Sequence, residues 1–149
     1  MPKHPYSVHP SLLKMGRGDR GSAMESPETY LEAAPGMVDA MFAGKASLRP
    51  IYDALLTLCL AVGKGVTASP GKTIVPIYRH HVIAQIKPTT KTRIDLGLAL
   101  GNMKTPKRLV DTGGFEKKDR ITRRIEVKSL ADIDADLEQW LKKAYELDS

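Results

Sequence analysis

Apolar residues recur at two different periods along the chain, and the change falls near Gly65. Upstream, the spacing is helical. Ser26-Pro27-Glu28 reads as a helix start: serine can accept from free amides, proline fits the first turn, and glutamate suits the positive end of the dipole. Tyr30, Leu31 and Ala34 form a first apolar stripe. Pro35-Gly36 predicts a break, followed by a second piece over 37–43 that Gly44 ends. A longer helix follows, with Ser47 as cap and Pro50 in its first turn. Leu48, Ile51, Tyr52, Leu55, Leu58 and Val62 recur at three- and four-residue spacing, and Gly63 is its stop.

Downstream, the period becomes two. Strands are predicted over 73–78, 81–87, 92–100, 108–110 and 121–127. Pro76 marks the first as an edge or a bulged strand. The third alternates most regularly: Ile94, Leu96, Leu98 and Leu100 point one way, Arg93, Asp95, Gly97 and Ala99 the other. Ile121, Ile125 and Val127 are expected to share a face of the last strand. A closing helix starts at Ser129, with Asp132 completing a capping box, and buries Ile133, Leu137, Trp140, Leu141 and Ala144. Short connections imply antiparallel neighbours. The predicted fold is α+β: a two-layer sandwich with a mostly antiparallel sheet of four to five strands. The N-terminal helices and the C-terminal helix cover one face. Residues 1–25, broken by Pro2, Pro5 and Pro10, read as a flexible tail, and residues 26–149 as a single α+β domain.

Composition narrows the class. The chain has 149 residues, 42% of them apolar, which suits one domain. No apolar run approaches the ~20 residues of a bilayer span, and the first residues lack the apolar core of a secretory signal. One cysteine, Cys59, excludes an internal disulfide and a cysteine-based zinc site. A cytoplasmic protein without membrane association is expected.

Charge adds direction. The net charge is +6, but residues 1–63 sum to zero, residues 64–128 carry fifteen basic groups against five acidic, and residues 129–149 sum to −4. A concentrated cationic segment attracts phosphates and polyanions. On the sheet's open face and its loops, Lys87, Arg93, Arg108, Arg120, Arg123 and Arg124 are the expected contacts for nucleic acid or another polyanion. Tyr78 and Phe115 are the only aromatics of the segment, so backbone reading fits better than base stacking.

No motif supplies catalytic residues, a metal site or a cofactor. Gly71-Lys72-Thr73 copies only the end of a phosphate-binding loop and precedes a strand where a helix is required. His80 and His81, adjacent near a strand, would face opposite sides. Asp132, Asp134 and Asp136 fan around a helix and complement its dipole. Cys59 sits within an apolar helix as a packed thiol. Two alternatives stand beside the polyanion reading. One is a protein-interaction or homo-oligomerisation module using the apolar stripe over 48–62 or the polar face of the sheet. The other is a magnesium-dependent nuclease using Glu126-Val127-Lys128 with Asp95 or Asp111.

Four stretches carry a family resemblance: Leu48-Arg49-Pro50-Ile51-Tyr52-Asp53-Ala54-Leu55, Lys72-Thr73-Ile74-Val75-Pro76, residues 84–98, and Asp111-Thr112-Gly113-Gly114-Phe115. In order, over residues 27–149, they resemble the C-terminal domain of unknown function of a bacterial family of uncharacterised small proteins. Relatives of that domain are labelled "predicted transport protein". The resemblance implies the same α+β domain and no catalytic residues. A short helical domain usually comes first in that family. Tyr6-Ser7-Val8-His9-Pro10 resembles its beginning, so the tail is expected to be a remnant of that module. Similar domains at the ends of DNA-restriction proteins point, by analogy, to a nucleic-acid context.

Overall fold

The change of period at Gly65 separates helix from sheet in the computed structural model, which describes Tyr6 and residues 27–149. Tyr6 apart, the expected tail and the Ser26 helix start lie outside the described residues. Helix α1 spans Pro27–Met41 and runs through Pro35 without the predicted break. Ala34, Val38 and Met41 stand one and two turns apart and are all buried, while Pro35 is exposed. Packing along this stripe offsets the backbone bond that proline cannot make. Phe42, just past the helix, packs its ring 4.8 Å from that of Tyr52.

Helix α2, Arg49–Leu60, follows a 3-10 turn at Ala46–Leu48. Pro50 lies in its first turn as expected, but Ser47 does not cap it; the hydroxyl reaches Lys91 O at 3.4 Å. Ile51, Tyr52, Leu55, Leu56 and Cys59 are buried. The apolar stripe considered for oligomerisation is therefore mostly spent inside the core, and Leu58, Leu60 and Val62 are partly buried against it. Burial pushes the Cys59 thiol up to about 12, which leaves it protonated and inert near neutrality.

Six strands form an antiparallel sheet: β1 Thr67–Ala68, β2 Val75–Tyr78, β3 Val82–Lys87, β4 Ile94–Leu98, β5 Leu109–Asp111 and β6 Arg123–Val127. Their order is β1-β2-β3-β4-β6-β5. The sixth strand, beyond the five predicted, is the two-residue β1, too short to show a period. Pro76 is consistent with its prediction: β2 shifts register between Ile77 and Tyr78, and only β1 pairs on its outer side. On the covered face, Ile86, Leu96, Ile125 and Leu109 form one cross-strand row. They join one apolar cluster with residues of all three helices.

The Ser129–Asp132 capping box is present, but it closes a 3-10 turn at Leu130–Asp132. Helix α3, Ala135–Leu147, starts afresh under a second cap, Asp134, which accepts from Leu137 N at 2.9 Å. Leu137, Leu141 and Ala144 are buried, and the helix packs on β3 and β4. No helix among the described residues is long and apolar enough to cross a membrane.

Candidate functional site

The uncovered face of the sheet is defined by the strand register. One row runs Lys87, Asp95, Glu126 across β3, β4 and β6. The next runs Pro76, Gln85, Gly97, Arg124, Val110 across β2, β3, β4, β6 and β5. Residues 112–121, between β5 and β6, fold back over this second row. Ile121 lands on the open face, not in line with Ile125 and Val127 as its parity predicted. The β4–β6 ladder ends at Leu98–Arg123, and Thr122 N donates to Leu98 O instead. Ile121 is buried but outside the main apolar cluster, lying against Gly97 and Gln85.

Two glycines permit this fold-back. A Cβ on Gly97 would stand 2.8 Å from Ile121 Cγ2, and one on Gly114 would stand 1.9 Å from Ile121 O. The loop is tied down by Thr112 Oγ1 donating to Ile121 O at 3.1 Å. Gly113 N donates to Asp111, and Ile121 N to Asp119. Between loop and sheet lies a cleft of about 410 Å³. Gln85, Lys87, Lys117 and Arg124 line it, together with Asp95, Asp111 and Asp119.

The carboxylates of the open face are already engaged. Asp95 accepts from Thr89 Oγ1 at 2.6 Å and from Arg124 Nη1 at 3.2 Å. Arg93 Nε lies 3.0 Å from it, outside hydrogen-bond geometry, while Arg93 Nη2 donates to it at 3.3 Å. Glu126 accepts from Arg124 Nη1 at 2.8 Å and lies 3.8 Å from Arg93. The Arg124 hydrogen bond, with Arg93 nearby, holds the Glu126 carboxyl below its ordinary range and raises Arg124 in turn. Asp95 and Glu126 are direct cross-strand partners, the geometry a nuclease pair would need, but guanidinium groups fill the space a magnesium ion would take.

The six basic residues singled out in sequence do not share one surface. Lys87, Arg93 and Arg124 meet on the open face. Arg108 instead ties the start of α3, bridging Asp134 at 2.8 Å and Asp136 at 3.0 Å and donating to Asp132 O. Arg123 is buried and bonds Thr105 Oγ1, Met103 O and Thr122 O. Arg120 reaches Val82 O and, at 3.4 Å, Asp148. Arg123 Nη1 also lies 3.7 Å from Asp111, so all five arginines stand within ion-pair distance of a carboxylate. Lys87 and Lys117 have no ion pair among the described residues, and the Gln85 amide has no hydrogen bond there.

A second polar cluster was hidden in sequence. Asp148 Oδ2 accepts from the backbone N–H groups of His80 and His81, and its Oδ1 sits 2.7 Å from His81 Nδ1. Burial pushes this carboxyl up, but those amides and the His81 ring outweigh burial and leave it below the ordinary range. Both histidines thus lie in the turn before β3, not on the strand. Arg79 stacks 4.0 Å from the Tyr145 ring centre and donates to Tyr145 O. Together these contacts fasten the end of α3 to the β2–β3 turn.

A model for a domain of unknown function (DUF5655) matches residues 38–148, which include the whole cleft. No curated protein matches the chain, and no solved structure does.

Proposed function

The chain belongs to this family of domains of unknown function, and from the cleft within the matched region we propose that it is a non-catalytic binding module. The cleft takes one anionic group, a phosphate of nucleic acid or of another polyanion, at Lys87 and Lys117, with the Gln85 amide as a further donor. The observation that carries this reading is the unequal use of the charges. Guanidinium and carboxylate groups of the open face neutralise one another, and the two ammonium groups are left over. With Asp95, Asp111 and Asp119 also present, the cleft has little net field. Recognition then rests on direct contacts at short range, not on long-range attraction.

Arg124 acts in this reading as a fixed wall, and Arg93 holds Asp95 from beside the cleft. Their bonds to Asp95 and Glu126 hold the floor of the cleft rigid. Arg108, Arg120 and Arg123 serve the scaffold. Fluorescence anisotropy with a labelled DNA duplex at low salt, with inorganic polyphosphate as competitor, tests the proposal. Binding should fall at least tenfold in the double variant Lys87→Ala/Lys117→Ala and hold in Arg108→Gln. No binding by the unaltered chain to either polyanion refutes it.

A further inference from the structure

A second cleft, of about 710 Å³, borders the same loop and is of different character. Phe115, Leu147 and Ala99 supply an apolar lining, and Lys118 and Arg120 stand among its walls. Phe115 and Leu147 are 45% and 51% exposed, and they border one concavity. The volume lies within the roughly 300–1,000 Å³ of small-molecule sites.

Three further features point to a ligand. Thr122 lines this cleft at 1% exposure, and its Oγ1 has no hydrogen-bond partner among the described residues. A buried hydroxyl left unpaired is costly, and this one belongs to a residue of the cleft lining. Lys118 has φ +58°, the only non-glycine residue at positive φ among those described. That conformation is strained for a residue carrying a Cβ, and the lysine stands beside the apolar lining. Arg120 uses Nε and Nη2 internally and keeps Nη1 unbonded. Of the acidic neighbours, Asp119 is engaged with Ile121 N, and Glu116 lies at the cleft wall.

We infer that this cleft binds a small amphipathic carboxylate. Its aromatic or alkyl body lies between Phe115 and Leu147. Its carboxylate meets Lys118 and the open edge of Arg120, and accepts from the Thr122 hydroxyl. The site shares Asp119 with the anion cleft but uses neither Lys87, Lys117 nor Gln85.

Saturation-transfer NMR and calorimetry on the full chain, with phenylacetate, octanoate and neutral phenylacetamide, test the assignment. Phenylacetate or octanoate should bind, and phenylacetamide at least fivefold more weakly. Phe115→Ala should lower affinity about tenfold, a loss of roughly 1.4 kcal/mol. Thr122→Val should weaken binding while leaving thermal stability equal or higher, because it removes an unpaired hydroxyl; a merely structural threonine would show the reverse. Absence of transfer from either acid at millimolar concentration overturns the inference. So does affinity unchanged in Phe115→Ala, or affinity lost in Lys87→Ala/Lys117→Ala. Concentration-dependent mass in sedimentation, abolished by Phe115→Ala, would assign the cleft to a second copy of the chain and overturn it as well.

Discussion

Ile121 lies across Gly97, so close that a Cβ at 97 would stand 2.8 Å from Ile121 Cγ2 and 2.9 Å from Gln85 Cγ. The cleft on the open face exists because a strand residue without a side chain lets a loop residue settle on the sheet. Gly97→Ala should push Ile121 and Gln85 apart and cost about 1–3 kcal/mol through overpacking. A melting temperature lowered by several degrees would register it, and an unchanged one would show that Ile121 is free to move.

Gly114→Ala meets a harder obstacle, because the new Cβ would fall 1.9 Å from a backbone oxygen, Ile121 O. Relief requires the loop over 112–121 to lift. Hydrogen exchange at Gly113 and Ile121 should quicken, since their amides are held by Asp111 and Asp119 within the same loop. Anion binding should weaken at the same time.

Asp148 makes stability depend on acid pH. Its folded carboxyl releases its proton more readily than the unfolded one. The unfolded chain therefore binds more protons in the acid window, and stability rises with pH there. The contribution is complete above the unfolded value, about 3.9, and is lost as pH falls through the lower folded value. Asp148→Asn should flatten this part of the stability–pH curve. It should also quicken exchange at the His80 and His81 amides, which the carboxylate now holds at 2.8 and 2.7 Å.

Arg108 offers a contrast in magnitude. Its pairs with Asp134 and Asp136 are short, but all three side chains reach solvent. Exposed pairs contribute little, so Arg108→Gln should barely shift a urea midpoint. The shift should shrink further in high salt.

The sheet and helices were largely legible because periodicity reports burial. Ile94, Leu96 and Leu98 alternate, and all three are buried. Pro35 points to a break by local propensity alone, whereas the core contacts of Ala34 and Val38 hold α1 together. Ile121 misled because parity cannot reveal where a ladder ends; only the Gly113-Gly114 pair hinted that the loop would turn back. The charge excess over 64–128 was visible, but its use was not. Arg108 finds Asp134 26 residues away, and Arg120 finds Asp148 28 residues away. Such pairings depend on how strands and helices are brought together, which spacing along the chain does not encode.

The central claim is that internal carboxylates engage the arginines of the open face and leave its cleft lysines, Lys87 and Lys117, to meet an anion. The slope of log K against log salt for duplex DNA counts the phosphates neutralised, at about −0.9 for each. A slope of about −1, for the one phosphate the cleft takes, falling toward zero in Lys87→Ala/Lys117→Ala, is the predicted result. A slope of about −5, undiminished in that variant and reduced by removing Arg108 or Arg120, would contradict it.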